Sequence, residues 1–411
     1  MKMQLKNILT TGTLACAVAL PTGSALADNL PTREEMWQMI QAQQTQIEAL
    51  TQKVANTDEK VEATGEVVET IAASAGSSTT PGWWERTSIG GYGELHYNGG
   101  QTDQIDFHRF VLFFGHEFTE DVRFFSELEL EHALSGNGKP GAVELEQAFI
   151  EIDIAEFHAI RAGIQLIPVG ILNETHEPPT FYGTERNQVE KNIIPSTWWE
   201  AGLGVNGELG NGFSYDVLYH SGLQVASTGA SAFNIRSGRQ KVAQATADAG
   251  ATTGRLSWTG MPGLAVSTTA QYQEDITQGT GPSTPAVLVE ANVDANYSVG
   301  PGSIGFRALA ALWDLDSSAA TALGRDEQYG WYVEPSYRFG TEWGDLGIFA
   351  QYAEWDNAAG DNTDSVFSQT RVGMNFWPTP DTVFKVDYQF DDAPTAASED
   401  NRLNIGMGYQ F

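Results

Sequence analysis

From Trp83 onward the chain is a succession of runs in which apolar and polar residues alternate, each run eight to fourteen residues long and rich in glycine and aromatics. Strict period-two alternation puts successive side chains on opposite faces of an extended strand. Sixteen such runs begin near Ser88, Ile105, Val122, Val143, His158, Trp199, Phe213, Thr253, Leu264, Ala286, Ser303, Gln328, Leu346, Thr370, Thr382 and Arg402. In one of them Val287, Val289, Ala291, Val293 and Ala295 oppose Glu290, Asn292, Asp294 and Asn296; in the last, Leu403, Ile405, Met407, Tyr409 and Phe411 oppose Asn404, Gly406, Gly408 and Gln410. The run from Phe107 to Phe118 is apolar on both parities, so its inward face is ambiguous.

The connections carry a second signal. Tight turns such as Thr119-Glu120-Asp121, Gly210-Asn211-Gly212 and Gly300-Pro301-Gly302 follow the even runs, and longer polar segments follow the odd ones. Short turns at one end and long loops at the other are the plan of a transmembrane barrel with an even strand number. The fold class expected is therefore all-β, a 16-stranded antiparallel transmembrane β-barrel over residues 83–411. Outer-membrane lipid and lipopolysaccharide would contact its outer face, and both termini would lie on the periplasmic side. A soluble sandwich or an adhesin also has many alternating strands, but neither predicts the short-long rhythm. Tryptophans and tyrosines at run ends (Trp198, Trp199, Trp258, Trp313, Trp331, Tyr337, Trp343, Trp355, Trp377) are expected to form interface girdles.

The N-terminal part differs. Lys2 and Lys6, an apolar stretch from Ile8 to Leu20 and Ala25-Leu26-Ala27 read as a secretory signal peptide, residues 1–27; with the barrel plan, it predicts the outer membrane of a Gram-negative bacterium. Ile40, Ile47, Val54, Val61 and Val68 alternate at heptad spacing with Met36, Gln43, Leu50, Thr57, Thr64 and Ile71, which predicts a periplasmic α-helical coiled coil within residues 28–73. A small, polar segment, 74–82, reads as a linker. No stretch after residue 27 approaches the roughly 18 apolar residues of a transmembrane helix.

Charge and cysteine narrow the function. The formal net charge of −31 argues against nucleic acid as a partner. The single cysteine, Cys16, falls in the predicted leader, so no disulfide or thiol chemistry is expected. Glu127, Glu129 and Glu131 share one face, but without a turn that adds oxygen ligands no metal site is expected there. His176-Glu177 is followed by Pro178-Pro179, which excludes a zinc-protease helix. No nucleophile elbow or phosphate-binding loop is present, and no catalytic residue and no cofactor is expected.

A barrel of this size leaves an aqueous channel whose function depends on what narrows it. The segment Ile167 to Ser196 mixes prolines, aromatics and paired charges, unlike the Ala/Ser/Gly/Gln-rich loop after the seventh run. It is expected to fold inward as a constriction presenting Glu174, His176, Glu177, Tyr182, Glu185, Arg186, Glu190 and Lys191; an extracellular lid or an arm over a neighbouring barrel is the alternative. Wall charges segregate along the chain. Glu94, Glu127, Glu129, Glu131, Glu151 and Asp153 lie on early strands, interrupted by Arg109, Arg123 and Arg161, whereas Arg255, Arg307, Arg338, Arg371 and Lys385 lie on later ones. Opposed walls would impose a transverse field on a solute; pairwise neutralisation would simply hold the wall together. Weak ion selectivity is expected.

Ser88 to Tyr97, Asp106 to Phe118, Phe124 to His132, Pro168 to Trp199 and the terminal Gly408-Tyr409-Gln410-Phe411 resemble the outer-membrane porins grouped with phosphate-selective porins O and P and the DcaP-like channels. The resemblance implies a homotrimeric sixteen-stranded porin, a passive channel for small hydrophilic solutes, dicarboxylates and phosphate among them. The arginine ladder and lysine cluster of phosphate-selecting members have no residue-by-residue match; Arg255, Arg307, Arg338 and Arg371 are the basic residues a dicarboxylate would use. The ending at Tyr409 and Phe411 resembles the signal that barrel-assembly machinery reads. A structural or adhesive barrel tethered through its coiled coil is the alternative function.

Overall fold

A computed structural model describes residues 82–100 and 102–411. The predicted signal peptide, coiled coil and nearly all of the linker lie outside the described residues. The sixteen strands are β1 (Thr87–Gly99), β2 (Gln104–Glu117), β3 (Val122–Glu131), β4 (Val143–Ala155), β5 (His158–Leu166), β6 (Trp199–Gly210), β7 (Phe213–His220), β8 (Ala251–Met261), β9 (Leu264–Gln273), β10 (Ala286–Val299), β11 (Gly302–Leu315), β12 (Glu327–Thr341), β13 (Gly344–Asp356), β14 (Phe367–Thr379), β15 (Thr382–Asp392) and β16 (Arg402–Gln410). Each pairs antiparallel with its sequence neighbour, and β16 pairs with β1 from Tyr92↔Gln410 to Gly99↔Leu403. Closure leaves no edge with unpaired backbone groups, the condition for crossing lipid with strands.

The predicted run starts fall within three residues of the observed ones. The short-long rhythm also holds from β2 onward, with connections of 32 residues after β5 and 30 after β7. The expected long loop after β1 is instead a four-residue connection, residues 100–103.

Alternation sorts the faces. On β16, Leu403, Ile405 and Met407 are exposed outward, as is Phe411 just after it, while Asn404 is fully buried inside. On β2, Leu112 and Phe114 face out and Arg109 and Val111 face in. The ambiguity of this strand has a packing cause: Phe113 joins an inner row of aromatics, Tyr92–Phe113–Phe125–Phe149, with successive ring centroids 5.8, 5.7 and 5.8 Å apart.

The inner face is not uniformly polar. Leu288, Leu309, Trp313 and Tyr332 on β10–β12 point inward and pack with Ile167, Val189, Ile193, Ile194 and Trp198 from the loop after β5 and with Leu223, Phe233 and Ile235 from the loop after β7. The girdle expectation needs correction here. Trp198, Trp199, Trp313, Trp355 and Trp377 are buried inside, where the infolded loops cover them, Trp199 under the Lys241 ammonium; Trp343 is 81% exposed at a tight turn, and Trp258, Trp331 and Tyr337 are half-buried.

Two glycines of the terminal strand are explained by close approach. A Cβ on Gly408 would lie 2.2 Å from the Pro178 side chain, and one on Gly406 would lie 2.9 Å from Thr184. The small residues of β16 make room for the loop that follows β5.

Candidate functional site: a loop-divided lumen

The segment 167–198 leaves β5 and rejoins β6, and its neck is cross-tied. Asn173 Nδ2 donates to Ile167 O (2.8 Å) and Trp198 O (2.9 Å), and Trp198 N–H donates to Asn173 Oδ1 (2.7 Å). Within the loop, buried Glu190 accepts from the backbone N–H groups of Ile171 (2.9 Å) and Leu172 (2.6 Å) and from the Tyr332 hydroxyl of β12 (2.6 Å). Three donors converge on one carboxylate, which ties the loop's helical turn, Val189–Asn192, both to the neck and to the wall.

Further along, the loop's carbonyls meet donors from the opposite wall. Arg307 reaches Thr180 O (3.1 Å), Trp377 Nε1 reaches Pro179 O (3.0 Å), Asn375 reaches Phe181 O (3.0 Å) and Lys385 reaches Gly183 O (2.8 Å), its ammonium 3.5 Å from the centre of the Phe181 ring. Thr184 N–H donates to Asp387 (2.7 Å), and Arg371 donates to Glu185 O. Irregular backbone deep in a barrel needs such partners, because each unpaired polar group there is costly.

The loop separates two cavities. Toward the tight-turn end lies one of about 1000 Å³, lined by Arg123, Glu151, Asp153, Arg161, Asp216, Arg255 and the loop's Glu174. The other is a cleft of about 130 Å³. Glu94, Arg109, Glu129, Glu131, Glu144 and Glu146 of β1–β4 form one side of it, and Glu185, Arg186, Lys191, Arg236, Arg239 and Lys241 contribute from the two long loops.

The predicted loop residues divide accordingly. Glu185, Arg186 and Lys191 line the cleft and Glu174 the larger cavity. Glu190 and His176 are buried, Tyr182 packs against Phe349 and Trp377, and the Glu177 carbonyl caps the turn at Pro178–Thr180. Burial opposes charge on Glu185, yet His96 at 3.3 Å and Asn98 at 3.0 Å hold its carboxyl well below the usual range. Burial pushes the Glu190 carboxyl up. At His176 burial and Arg186 disfavour the charged ring, but Glu127 and Glu146 outweigh them and push it up to about 9.

Of the wall residues, Glu94, Arg109, Glu129 and Glu131 line the cleft and Glu127 lies buried beside His176. The later-strand cations do not form a free basic wall. Arg255 pairs with Asp216 (2.8 Å) and Glu174, Arg307 with Asp294 (2.9 Å) and Arg338 with Asp345 (2.9 Å), while Arg161 pairs with Glu151. Arg371 is held by Gln351 and the loop backbone, and Lys385 is buried under Phe181. Pairwise neutralisation thus holds for Arg255, Arg307 and Arg338, whereas Arg371 and Lys385 are held by neutral partners.

The basic side of the cleft comes from elsewhere. Among the described residues Arg186, Lys191, Arg236 and Arg239 make no ion pair within 4.0 Å, whereas across from them Arg109 binds Glu94 (2.8 Å) and Glu129 (3.4 Å), and Lys241 pairs with Glu144. Arg236 donates to Lys191 O and Ser196 O (both 2.8 Å) and Arg239 to Thr197 O (2.7 Å), so the loop after β7 buttresses the loop after β5. Sequence reasoning passed over that second loop as bland. The available signal was that its three basic residues, Arg236, Arg239 and Lys241, fall within six positions.

The chain matches the family described as phosphate-selective porin O and P over residues 90–411. It belongs to that family. This porin sequence is also 41% identical over 175 residues to an uncharacterised protein of Aquifex aeolicus strain VF5, an alignment that spans 41% of the chain and only 40% of the relative's length. Among solved structures, the barrel resembles an anion-selective porin from Comamonas acidovorans (TM-score 0.53, 13% identity, 79% of this chain and 99% of the other). It also resembles the outer-membrane channel DcaP of Acinetobacter baumannii (TM-score 0.50, 13% identity, 79% and 97%). At these identities the likeness to solved structures is one of fold.

Proposed function

We propose that this porin is a passive outer-membrane channel for small hydrophilic solutes, with the loop at 167–198 as its constriction. The observation that carries the reading is the cleft of about 130 Å³, where six carboxylates and six cationic side chains meet. Opposite charges across a narrow aqueous gap orient a dipolar or charged solute, and equal numbers predict weak overall ion selectivity. The distribution is uneven within that balance. On the acidic side Arg109 pairs with Glu94 and Glu129 and Lys241 with Glu144, whereas among the described residues Arg186, Lys191, Arg236 and Arg239 have no carboxylate partner within ion-pair distance. Small anions, dicarboxylates and phosphate among them, are the solutes that arrangement favours.

The family, the closed barrel and the lipid-exposed outer row support an outer-membrane setting, with lipopolysaccharide and lipid against that row. A homotrimer accords with the fold neighbours, one of which is described in a trimer form. Phe411 exchanges two backbone hydrogen bonds with Gly91 (3.0 and 2.9 Å) at the closing seam, which fits Tyr409 and Phe411 as a recognition end for barrel-assembly machinery.

The test is the reversal potential of the full-length protein in a planar bilayer under a salt gradient. A weak preference for anions, despite the chain's net charge of −31, is expected. A strong cation preference would refute the assignment of the cleft, and no conductance from folded protein would favour a structural or adhesive barrel.

A further inference from the structure

Beneath the cleft, three ligating side chains converge from three elements: Glu127 of β3, Glu146 of β4 and His176 of the constriction loop. All are nearly completely buried, with 1, 2 and 3% exposure. Among the described residues, the atoms that face one another, Glu127 Oε1, Glu146 Oε2 and His176 Nε2, have no hydrogen-bond partner. Buried polar atoms are almost always paired, so three orphans aimed at one point need an account.

The separations supply one. His176 Nε2 lies 3.5 Å from Glu127 Oε1 and 3.7 Å from Glu146 Oε2, too far for good hydrogen bonds. Ligands bound at about 2.1 Å around a tetrahedral centre are about 3.4 Å apart, and around an octahedral one about 3.0 Å. The two histidine–carboxylate separations are nearer the tetrahedral value, and all three atoms lie within 4.8 Å of one another. Two of the three ligands are also oriented from behind: His176 Nδ1 is 3.1 Å from the Asn173 carbonyl, which leaves Nε2 to bind, and Gln147 Nε2 donates to the second oxygen of Glu127 at 2.7 Å. Backing interactions of this kind set the tautomer and basicity of metal ligands. Glu146 also lines the cleft, which gives an ion a route in from the lumen.

We propose that Glu127, Glu146 and His176 bind a zinc-class divalent cation that fastens the constriction loop to the β3–β4 wall. One histidine nitrogen and two carboxylate oxygens, with a fourth position left for water, form a donor set that zinc accepts. The site joins residues far apart in sequence, so the bound ion would raise the cost of lifting the loop neck from the wall. The proposal does not depend on whether the barrel conducts.

The test uses the full-length protein, folded in detergent, stripped with chelator and titrated with zinc alone by calorimetry, with cobalt(II) as a spectroscopic probe. One zinc per chain and the intense visible absorption of tetrahedral cobalt are expected. His176→Gln and Glu146→Gln, both close in size to the native residues, should each weaken zinc binding by tenfold or more. A second histidine group, Asp106, His108 and His132, is the internal control, and His132→Ala should leave the affinity unchanged. Absence of stoichiometric zinc, or of the tetrahedral cobalt spectrum, in folded wild-type protein would overturn the proposal and leave the His176 ring as the counter-charge to its two glutamates. Loss of binding in His132→Ala but not in His176→Gln would overturn it equally, by placing the ion at the other group. Because both wild-type readouts are independent of the variants, a variant that fails to fold does not remove the test.

Discussion

Replacing Glu190 by alanine is the sharpest test of what holds the loop at 167–198 in place. The substitution removes one acceptor from three buried donors, the N–H groups of Ile171 and Leu172 and the hydroxyl of Tyr332. A buried donor left unsatisfied costs about 1–3 kcal/mol. Taken at the low end of that range for each donor, the three together destabilise the docked loop by about 3 kcal/mol. That corresponds to roughly a 100-fold rise in the undocked population. Tyr332→Phe removes one donor and leaves the two backbone bonds intact, so it should cost about 1 kcal/mol, roughly a fivefold rise.

The population can be read by thiol labelling. Cys16 is the chain's only cysteine, and with Cys16→Ser in place a Val189→Cys substitution puts a reporter at a fully buried loop position. When closing is faster than labelling, the rate follows the open population. Glu190→Ala should speed labelling about a hundredfold and Tyr332→Phe only severalfold. Equal rates in wild type and Glu190→Ala, from protein that still shows heat-modifiable barrel migration, would refute the role assigned to Glu190.

The same contacts lead to four further expectations. The Glu185 carboxyl is held below its ordinary range in the folded protein, so its contribution is present above the unfolded value and is lost only as pH falls through the lowered folded one; labelling of the Val189→Cys reporter should therefore stay slow to below pH 4.5 in wild type and quicken in Glu185→Gln. Arg186→Gln with Arg236→Gln should move the reversal potential toward cations by several millivolts, whereas Arg338→Gln, whose partner Asp345 sits at a tight turn, should leave it unchanged. Gly408→Val would drive a side chain into Pro178, and current recordings should show frequent transitions to a larger conductance in place of one steady level. Removal of Phe411 takes away both bonds to Gly91 and should lower the folded yield in outer membranes, while channels that do assemble keep wild-type conductance.

The strands were legible because lipid on one side and a lumen on the other enforce period-two alternation, and because tight turns punctuate it. That is why starts such as Val122, Val143, Trp199 and Leu264 coincide with the structure. The prolines and paired charges of the segment from Ile167 likewise marked an ordered loop. What alternation cannot convey is what covers an inward side chain. Trp313 and Trp377 look like girdle residues until the loop carbonyls of Ile193 and Pro179 accept their indole N–H groups, at 2.9 and 3.0 Å. Charge pairing is equally hidden: Arg255 looks like a free pore cation, yet its partner Glu174 is 81 positions away. Arg236 and Arg239 sit in a loop of unremarkable composition, and their position beside Lys191 depends on how two loops pack together. Even Gly406 and Gly408, which fit a strand pattern without explanation, owe their size to Thr184 and Pro178 of a segment more than two hundred residues earlier.

The most direct test of the central claim is single-channel conductance in a planar bilayer for the full-length protein and for a variant lacking Thr175 to Lys191. If that segment closes the lumen down to the cleft, the deletion should raise the conductance severalfold and abolish the weak anion preference. An unchanged conductance would contradict the account.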